Sequence, residues 1–129
     1  MLNKTRMMKI FLFIWLIGAI FSFILHLFFP ALISNLSFWD SSVGWQREIA
    51  LWNLAIAISI IYGLIKNNTQ VCRFLAMILI LLSLLLGTNH IFELLINKKI
   101  MTVNLLGSML NYIMMVWGIF VLKKRDGNK

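Results

Sequence analysis

The polar and apolar residues of this chain are arranged in long blocks, and the apolar blocks have the length of a membrane crossing. From Ile10 to Phe29, twenty consecutive residues carry no ionised side chain. Three more apolar stretches follow, so that the predicted spans are 10–29, 49–65, 74–96 and 105–122. With about 1.5 Å of rise per residue, they would be roughly 26 to 35 Å long, which is enough to cross the hydrocarbon core.

The apolar stretches are continuous rather than alternating, which favours helices over strands. The pattern therefore predicts an all-α integral membrane protein, with residues 1–129 forming a single domain that is a bundle of four transmembrane helices. Pro30 is expected to end the first helix, and Asp40, Ser41 and Ser42 offer capping groups before the second. A break in the third helix is predicted near Gly87.

The composition agrees with a membrane protein and narrows the chemistry. Apolar residues make up 61% of the chain, and the mean hydropathy is +0.92, both outside the usual range of soluble domains. The single cysteine, Cys72, excludes an internal disulfide and a relay between two cysteines. The net charge is +8, but the basic residues cluster beside the ends of the spans. That distribution argues against a nucleic acid partner.

The basic residues also predict an orientation. Four spans would place both termini and the 66–73 loop on one side of the membrane. Nine of the twelve basic residues lie on that side: Lys4, Arg6, Lys9, Lys66, Arg73, Lys123, Lys124, Arg125 and Lys129. The positive-inside rule then makes both termini cytoplasmic. The lipid bilayer is expected to surround the chain.

The first outer loop, residues 30–46, is predicted to be amphipathic. It carries Phe38, Trp39 and Trp45, and aromatic rings favour the headgroup region of a bilayer. We expect this loop to lie on the membrane surface as a partial lid over the bundle.

Each span carries a few polar residues that recur at helical spacing, and therefore share one face of their helix. These faces should turn inward, because lipid cannot satisfy polar groups. Most of the polar residues fall in the outer half of the bundle, which predicts a pocket that opens outward and is closed on the inner side. The expected pocket residues are His26, Gln46, Asn53, His90, Asn104 and Asn111, with Glu48 and Glu93 at the rim.

Several interpretations of these residues remain open. Small and amide side chains in membrane helices commonly serve helix packing and interhelical hydrogen bonds. His26 and His90 could instead ligate haem or a metal, with Glu93 as a third ligand, although no metal motif occurs within one helix. No cofactor is required by the pattern. No serine or cysteine in the sequence has a base at a spacing that suggests nucleophilic catalysis. The sequence therefore favours a protein that is not an enzyme.

The order of short motifs resembles a family of small four-span bacterial membrane proteins that is known only as a domain of unknown function. In size and layout the chain is also broadly similar to DoxX-like proteins. The resemblance covers roughly residues 14–122. The motifs are His26-Leu27-Phe28-Phe29-Pro30, Gly44-Trp45-Gln46-Arg47-Glu48, Asn53-Leu54, Leu86-Gly87-Thr88-Asn89-His90-Ile91, and Asn104 with Gly107.

The resemblance implies that six polar positions are typical of the family: His26, Gln46, Glu48, Asn53, His90 and Asn104. It carries no activity, and it implies a location in the bacterial cytoplasmic (inner) membrane. The chain departs from the expected pattern at residues 98–103, where a small loop with glycine and proline would be typical.

The sequence therefore predicts a multi-pass membrane protein whose outward-facing polar pocket binds a small ligand, a lipid headgroup or a partner helix. One alternative is a membrane redox protein that uses His26 and His90 for haem, or the same cavity for a quinone. Another is a structural accessory subunit of a membrane complex, in which the polar groups only specify packing.

Overall fold

The computed structural model describes residues 4–39, 42–98 and 100–123, and the described residues form helices joined by short turns and loops. The described part of the chain contains no strand. The helices are α1 (Lys4–Phe28), α2 (Pro30–Asn35), α3 (Val43–Lys66), α4 (Thr69–Asn97) and α5 (Thr102–Lys123). All but α2 are long and apolar enough to cross a membrane. The prediction of an all-helical chain with four candidate membrane helices is thus confirmed.

The four long helices extend beyond the charge-poor spans predicted for them. Helix α1 begins at Lys4, and α3 begins at Val43, six residues before the second predicted span. Lysine, arginine and glutamine are good helix formers, so a helix can continue into the polar segments that flank an apolar run. The charge-free stretch marks the part that suits hydrocarbon, and it does not mark the ends of the helix.

The predicted break in the third membrane helix is wrong, because α4 is continuous from Thr69 to Asn97. Gly87 is instead a point of close helix packing. A Cβ atom at this position would lie 3.0 Å from the ring of Tyr112 on α5. The Tyr112 hydroxyl also forms a 3.0 Å hydrogen bond with Thr88 Oγ1. The missing side chain therefore allows α4 and α5 to approach each other.

The first connection follows the predicted capping pattern where it is described. Pro30 occupies the beginning of α2, just after α1 ends, where a proline ring costs no hydrogen bond. Ser42 is the N-cap of α3, and its hydroxyl accepts a hydrogen bond from the Trp45 amide at 3.4 Å. Asp40 and Ser41 lie outside the described residues.

The helices pack mainly as two pairs, α1 with α3 and α4 with α5. The α4–α5 pair is antiparallel, since Gly107 lies against His90 while Gly118 lies against Ile80. We call the end of the bundle that carries α2 the α2 end. The opposite end, where Lys4 and the last turn of α5 lie, is the termini end.

The buried apolar core lies toward the termini end. Phe11 and Leu12 on α1 are fully buried, as is Ile60 on α3. Phe11 makes an edge-to-face contact with Trp117 on α5, with ring centroids 5.7 Å apart. Bulky apolar side chains cover the outside of the bundle, as expected of a surface that faces lipid. The polar residues considered next lie closer to the α2 end.

Candidate functional site

His26 and Gln46 are joined directly across the α1–α3 pair at the α2 end. His26 lies in the last turn of α1, and Gln46 lies in the first turn of α3 and is buried. His26 Nδ1 and Gln46 Oε1 form a hydrogen bond. Because a carboxamide oxygen can only accept, the imidazole donates through a protonated Nδ1. These two predicted residues therefore satisfy each other.

His90 lies between an aromatic ring and a glycine. The Trp39 ring, from the loop after α2, packs against the imidazole with centroids 5.0 Å apart and a tilt of 44°. On α5, a Cβ atom at Gly107 would lie 2.5 Å from His90 Nε2. Only a glycine lets the α5 backbone approach the imidazole this closely.

Asn104 fixes the same loop to the first turns of α5. Its side chain is fully buried, and its Oδ1 accepts a 3.3 Å hydrogen bond from the Phe38 amide. One residue earlier, the Val103 amide donates to the Leu36 carbonyl at 3.0 Å. Residues 36–39 are therefore held over α5 by two hydrogen bonds, one to the Asn104 side chain and one to the Val103 backbone, and Trp39 is brought onto His90. We call Phe38, Trp39, His90, Asn104 and Gly107 the His90–Asn104 cluster.

Two buried nitrogen atoms in this cluster have unused hydrogen-bonding capacity. Neither His90 Nδ1 nor Asn104 Nδ2 has a hydrogen-bond partner among the described residues. The Asn104 orientation is fixed by its bond to Phe38, because a backbone amide can only donate and therefore selects the oxygen. Buried polar groups nearly always have a partner, so two unpartnered groups in one cluster mark a place where a ligand or water would be stabilised.

The other two predicted pocket residues bond to their own helices. Asn53 Nδ2 donates to the Ile49 carbonyl at 2.9 Å. Asn111 Nδ2 donates to the Gly107 carbonyl at 2.8 Å. The structure thus joins His26 to Gln46 and places His90 and Asn104 in one cluster. A single pocket shared by all six residues stays a prediction.

The two rim residues lie on different helices. Glu48 is exposed on α3, where it lines a shallow groove with Leu51, Trp52 and Ala55. Glu93 accepts a hydrogen bond from the Asn97 side chain, with Nδ2 and Oε2 3.1 Å apart. A second groove lies between α3 and α4, and neither groove is lined by any of the six predicted pocket residues.

Sequence reasoning did not identify the roles of Trp39 and Gly107. Trp39 was expected at the headgroups, which stays a prediction, and its half-buried ring packs against His90, a contact that was not foreseen. The spacing of Asn104 and Gly107, three residues apart, was the available signal, since it places both on one face of α5. Trp45 is exposed, as an aromatic group facing the headgroups would be.

The surroundings of the His90 imidazole leave no ring nitrogen open for an axial haem bond. An axial ligand needs one ring nitrogen facing open space. The Nδ1 atom of His90 is buried, and its Nε2 edge lies against Gly107. His26 donates through Nδ1 to Gln46, which leaves its Nε2 uncommitted, so haem or metal ligation by His26 stays a prediction. The described residues contain no group of three or more histidine, cysteine, aspartate or glutamate side chains placed to hold a metal.

Four long apolar helices define the class, which is a multi-pass membrane protein. The chain belongs to a family described as "Family of unknown function (DUF6790)", which it matches over residues 2–127. No curated protein and no solved structure matches the chain. The predicted resemblance to a family of unknown function is thereby confirmed, and the likeness to DoxX-like proteins stays a prediction.

Proposed function

We propose that this multi-pass membrane protein is a non-catalytic binding protein that holds a small oxygen-bearing ligand in the His90–Asn104 cluster. The observation that carries the proposal is the pair of buried, unpartnered nitrogens at His90 Nδ1 and Asn104 Nδ2. A ligand that bonds to both would satisfy groups that otherwise raise the free energy of the folded chain.

The donors and acceptors of the cluster define the chemistry of the ligand. Asn104 Nδ2 is a donor only, so the ligand must present an acceptor such as a carbonyl, ester, hydroxyl or phosphate oxygen. His90 Nδ1 can donate to the same group or accept from a neighbouring hydroxyl. Trp39 supplies an apolar aromatic surface beside these polar groups. Together they suit a small amphipathic molecule.

Residues 36–39 cover the cluster and are themselves held by few contacts. The Phe38 amide bond to Asn104 is 3.3 Å long, and the Leu36 carbonyl accepts from Val103. Lifting this loop off α5 would break these two hydrogen bonds and the ring contact with His90, and moving it away from α2 would also break the bond from Ser34 Oγ to the Trp39 carbonyl. We infer that the ligand enters by displacing the loop at the α2 end.

The test is to extract and identify what the protein carries from its own membrane. The full chain would be isolated in polymer-bounded nanodiscs without detergent, and its organic extract analysed by mass spectrometry. We expect the extract of the wild-type protein to be enriched in one small molecule. The amount of that molecule should be at least tenfold lower in the extracts of Asn104→Leu and His90→Phe. Asn89→Leu is the matched control, because Asn89 is exposed on α4 next to His90.

Equal amounts of every small molecule in all four extracts, with each protein helical and monodisperse, would contradict the proposal. Loss of the molecule in the Asn89→Leu control would also contradict it, because binding would then not depend on the cluster. If a second protein is isolated with the chain in a fixed ratio and no small molecule is enriched, the result would favour the alternative that the chain is a structural accessory subunit.

A quinone-linked role is the second candidate, and the contact between Trp39 and His90 favours it. Quinones are planar and carry carbonyl acceptors, so a ring could pack on Trp39 while a carbonyl accepts from Asn104 Nδ2. Identification of the extracted molecule as a quinone would select this candidate over other ligands.

We further propose that both termini face the cytoplasm of a bacterial cell and that the α2 end faces outward. The excess of lysine and arginine at the termini end supports this orientation. Green fluorescent protein fused after Lys129 should fluoresce, because it folds in the cytoplasm. A dark fusion, together with an active alkaline phosphatase fusion at the same position, would reverse the orientation and turn the His90–Asn104 cluster inward.

A further inference from the structure

A lateral groove of about 390 Å³ lies between α3 and α4 toward the termini end. We call it the α3–α4 groove. Its lining residues come from both helices and are Ile58, Ser59, Tyr62, Val71, Phe74 and Leu75. It is separate from the His90–Asn104 cluster, and nothing inferred about it depends on the proposed function.

The interior of the groove offers an apolar surface. Its hydroxyl group at Ser59 already donates to the Ala55 carbonyl at 2.8 Å. The remaining side chains, apart from the tyrosine hydroxyl, are hydrocarbon. Tyr62 and Phe74 are exposed, so the groove opens toward the surrounding lipid. An occupant of this space therefore needs a hydrocarbon segment rather than hydrogen-bonding groups.

A cation lies at the mouth of the groove. Lys66 is the last residue of α3 and follows Ser59 and Tyr62 on the same helix face, at positions i+7 and i+4. Its Nζ lies 5.7 Å from the centre of the Tyr62 ring, a distance typical of a cation–π contact. Helix α4 begins nearby at Thr69, and the N-terminus of a helix favours negative charge.

The described basic residues make the whole termini end positively charged, so that it also favours an anionic group. The basic residues there are Lys4, Arg6, Lys9, Lys66, Arg73 and Lys123. The two described acidic residues, Glu48 and Glu93, belong to the half of the bundle near the α2 end. An anionic group at the mouth would therefore meet attraction, and neither of the two described acidic residues lies near it.

We propose that the α3–α4 groove binds an anionic phospholipid, with one acyl chain along the groove and the phosphate at Lys66. From Ile58 to Lys66 the helix rises about 12 Å, close to the hydrocarbon thickness of one leaflet, which is about 15 Å. A partner helix would need a surface along the full membrane thickness, whereas one acyl chain needs a groove about as long as one leaflet, which two helical turns provide. The apolar groove would hold an acyl chain, and the Lys66 cation beside the Tyr62 ring would hold the phosphate of the same lipid molecule.

The experiment compares two lipids that differ only in headgroup. Native mass spectrometry of the purified full chain would follow binding from an equimolar mixture of dioleoylphosphatidylglycerol and dioleoylphosphatidylcholine. We expect the wild type to retain one phosphatidylglycerol preferentially. Lys66→Gln should reduce that preference about fivefold, the factor for one basic contact at a membrane surface. Lys123→Gln removes the same charge at the same end, on α5, and should leave the preference unchanged.

A second pair of variants tests the groove itself. Ser59→Phe fills the groove from an exposed position and should abolish the retained lipid, whereas Val116→Phe adds the same bulk on the exposed surface of α5 and should not. Equal losses in Lys66→Gln and Lys123→Gln would overturn the proposal, because general surface charge would then explain binding. Retained lipid in Ser59→Phe, or a dimer without lipid whose interface is lost in Ser59→Phe, would overturn it as well.

Discussion

Replacing Gly118 with leucine should destabilise the bundle by about 3 kcal/mol, the upper part of the usual range for overpacking. Gly118 lies where three helices meet. A Cβ atom there would lie 2.5 Å from Ile80 Cγ1 on α4 and 2.9 Å from Phe11 Cζ on α1. Phe11 is fully buried and packs against Trp117, so it has no free space into which to move.

Gly18→Leu is the matched control for this prediction. A Cβ atom at Gly18 would meet no atom within 4 Å, and leucine has a higher helix propensity than glycine by close to 1 kcal/mol. We therefore expect Gly18→Leu to be neutral or stabilising. The free energy of unfolding would be measured in mixed micelles of rising dodecyl sulfate content, followed by tryptophan fluorescence. Equal stabilities of the two variants would show that the three-helix contact at Gly118 is not close.

The difference between these glycines illustrates what the sequence can and cannot predict. Both lie within apolar membrane spans, and helical spacing, which puts Gly18 on one face with Ser22 and His26, favours close packing at Gly18 rather than at Gly118. The spans themselves are predictable because hydropathy over about 20 residues reflects the thickness of the membrane. Which glycine meets another helix depends on the register between helices, which a single sequence does not record.

The same limit applies to the polar residues. Helical spacing predicts polar faces that turn inward, because lipid cannot satisfy such groups, and Gln46 and Asn104 are indeed buried. It could not show that His26 would bond to Gln46 while Asn53 bonds to its own helix. The partners of a buried amide depend on distances of less than an ångström, whereas the spacing defines only a face.

The role of the loop after α2 was the least predictable part of the candidate site. Asn104 Oδ1 accepts a hydrogen bond from the backbone amide of Phe38, and every residue except proline carries such an amide. A side chain that bonds to backbone therefore leaves no signature in its partner. The aromatic character of Trp39 was visible in the sequence, but a tryptophan at a membrane boundary ordinarily suggests the headgroup region.

The hydrogen bond between His26 and Gln46 leads to the second prediction. Gln46→Leu should lower the free energy of unfolding by about 1.5 kcal/mol, because the His26 imidazole loses its partner at the α1–α3 contact. The buried position of Gln46 limits replacement of that partner by water. His26→Phe should have a comparable cost, since it would leave the Gln46 amide without the imidazole.

A double-mutant cycle separates this bond from the other effects of the two substitutions. We expect the His26→Phe and Gln46→Leu double variant to be less destabilised than the sum of the single variants, with a coupling of about 1 kcal/mol. Interhelical hydrogen bonds in a membrane protein average about 0.6 and reach about 1.7 kcal/mol. Asn53→Leu is the control, because the Asn53 amide donates to the Ile49 carbonyl of the same helix, and it should change stability by less than about 0.5 kcal/mol. Strict additivity in the cycle would mean that the two side chains do not hold α1 and α3 together.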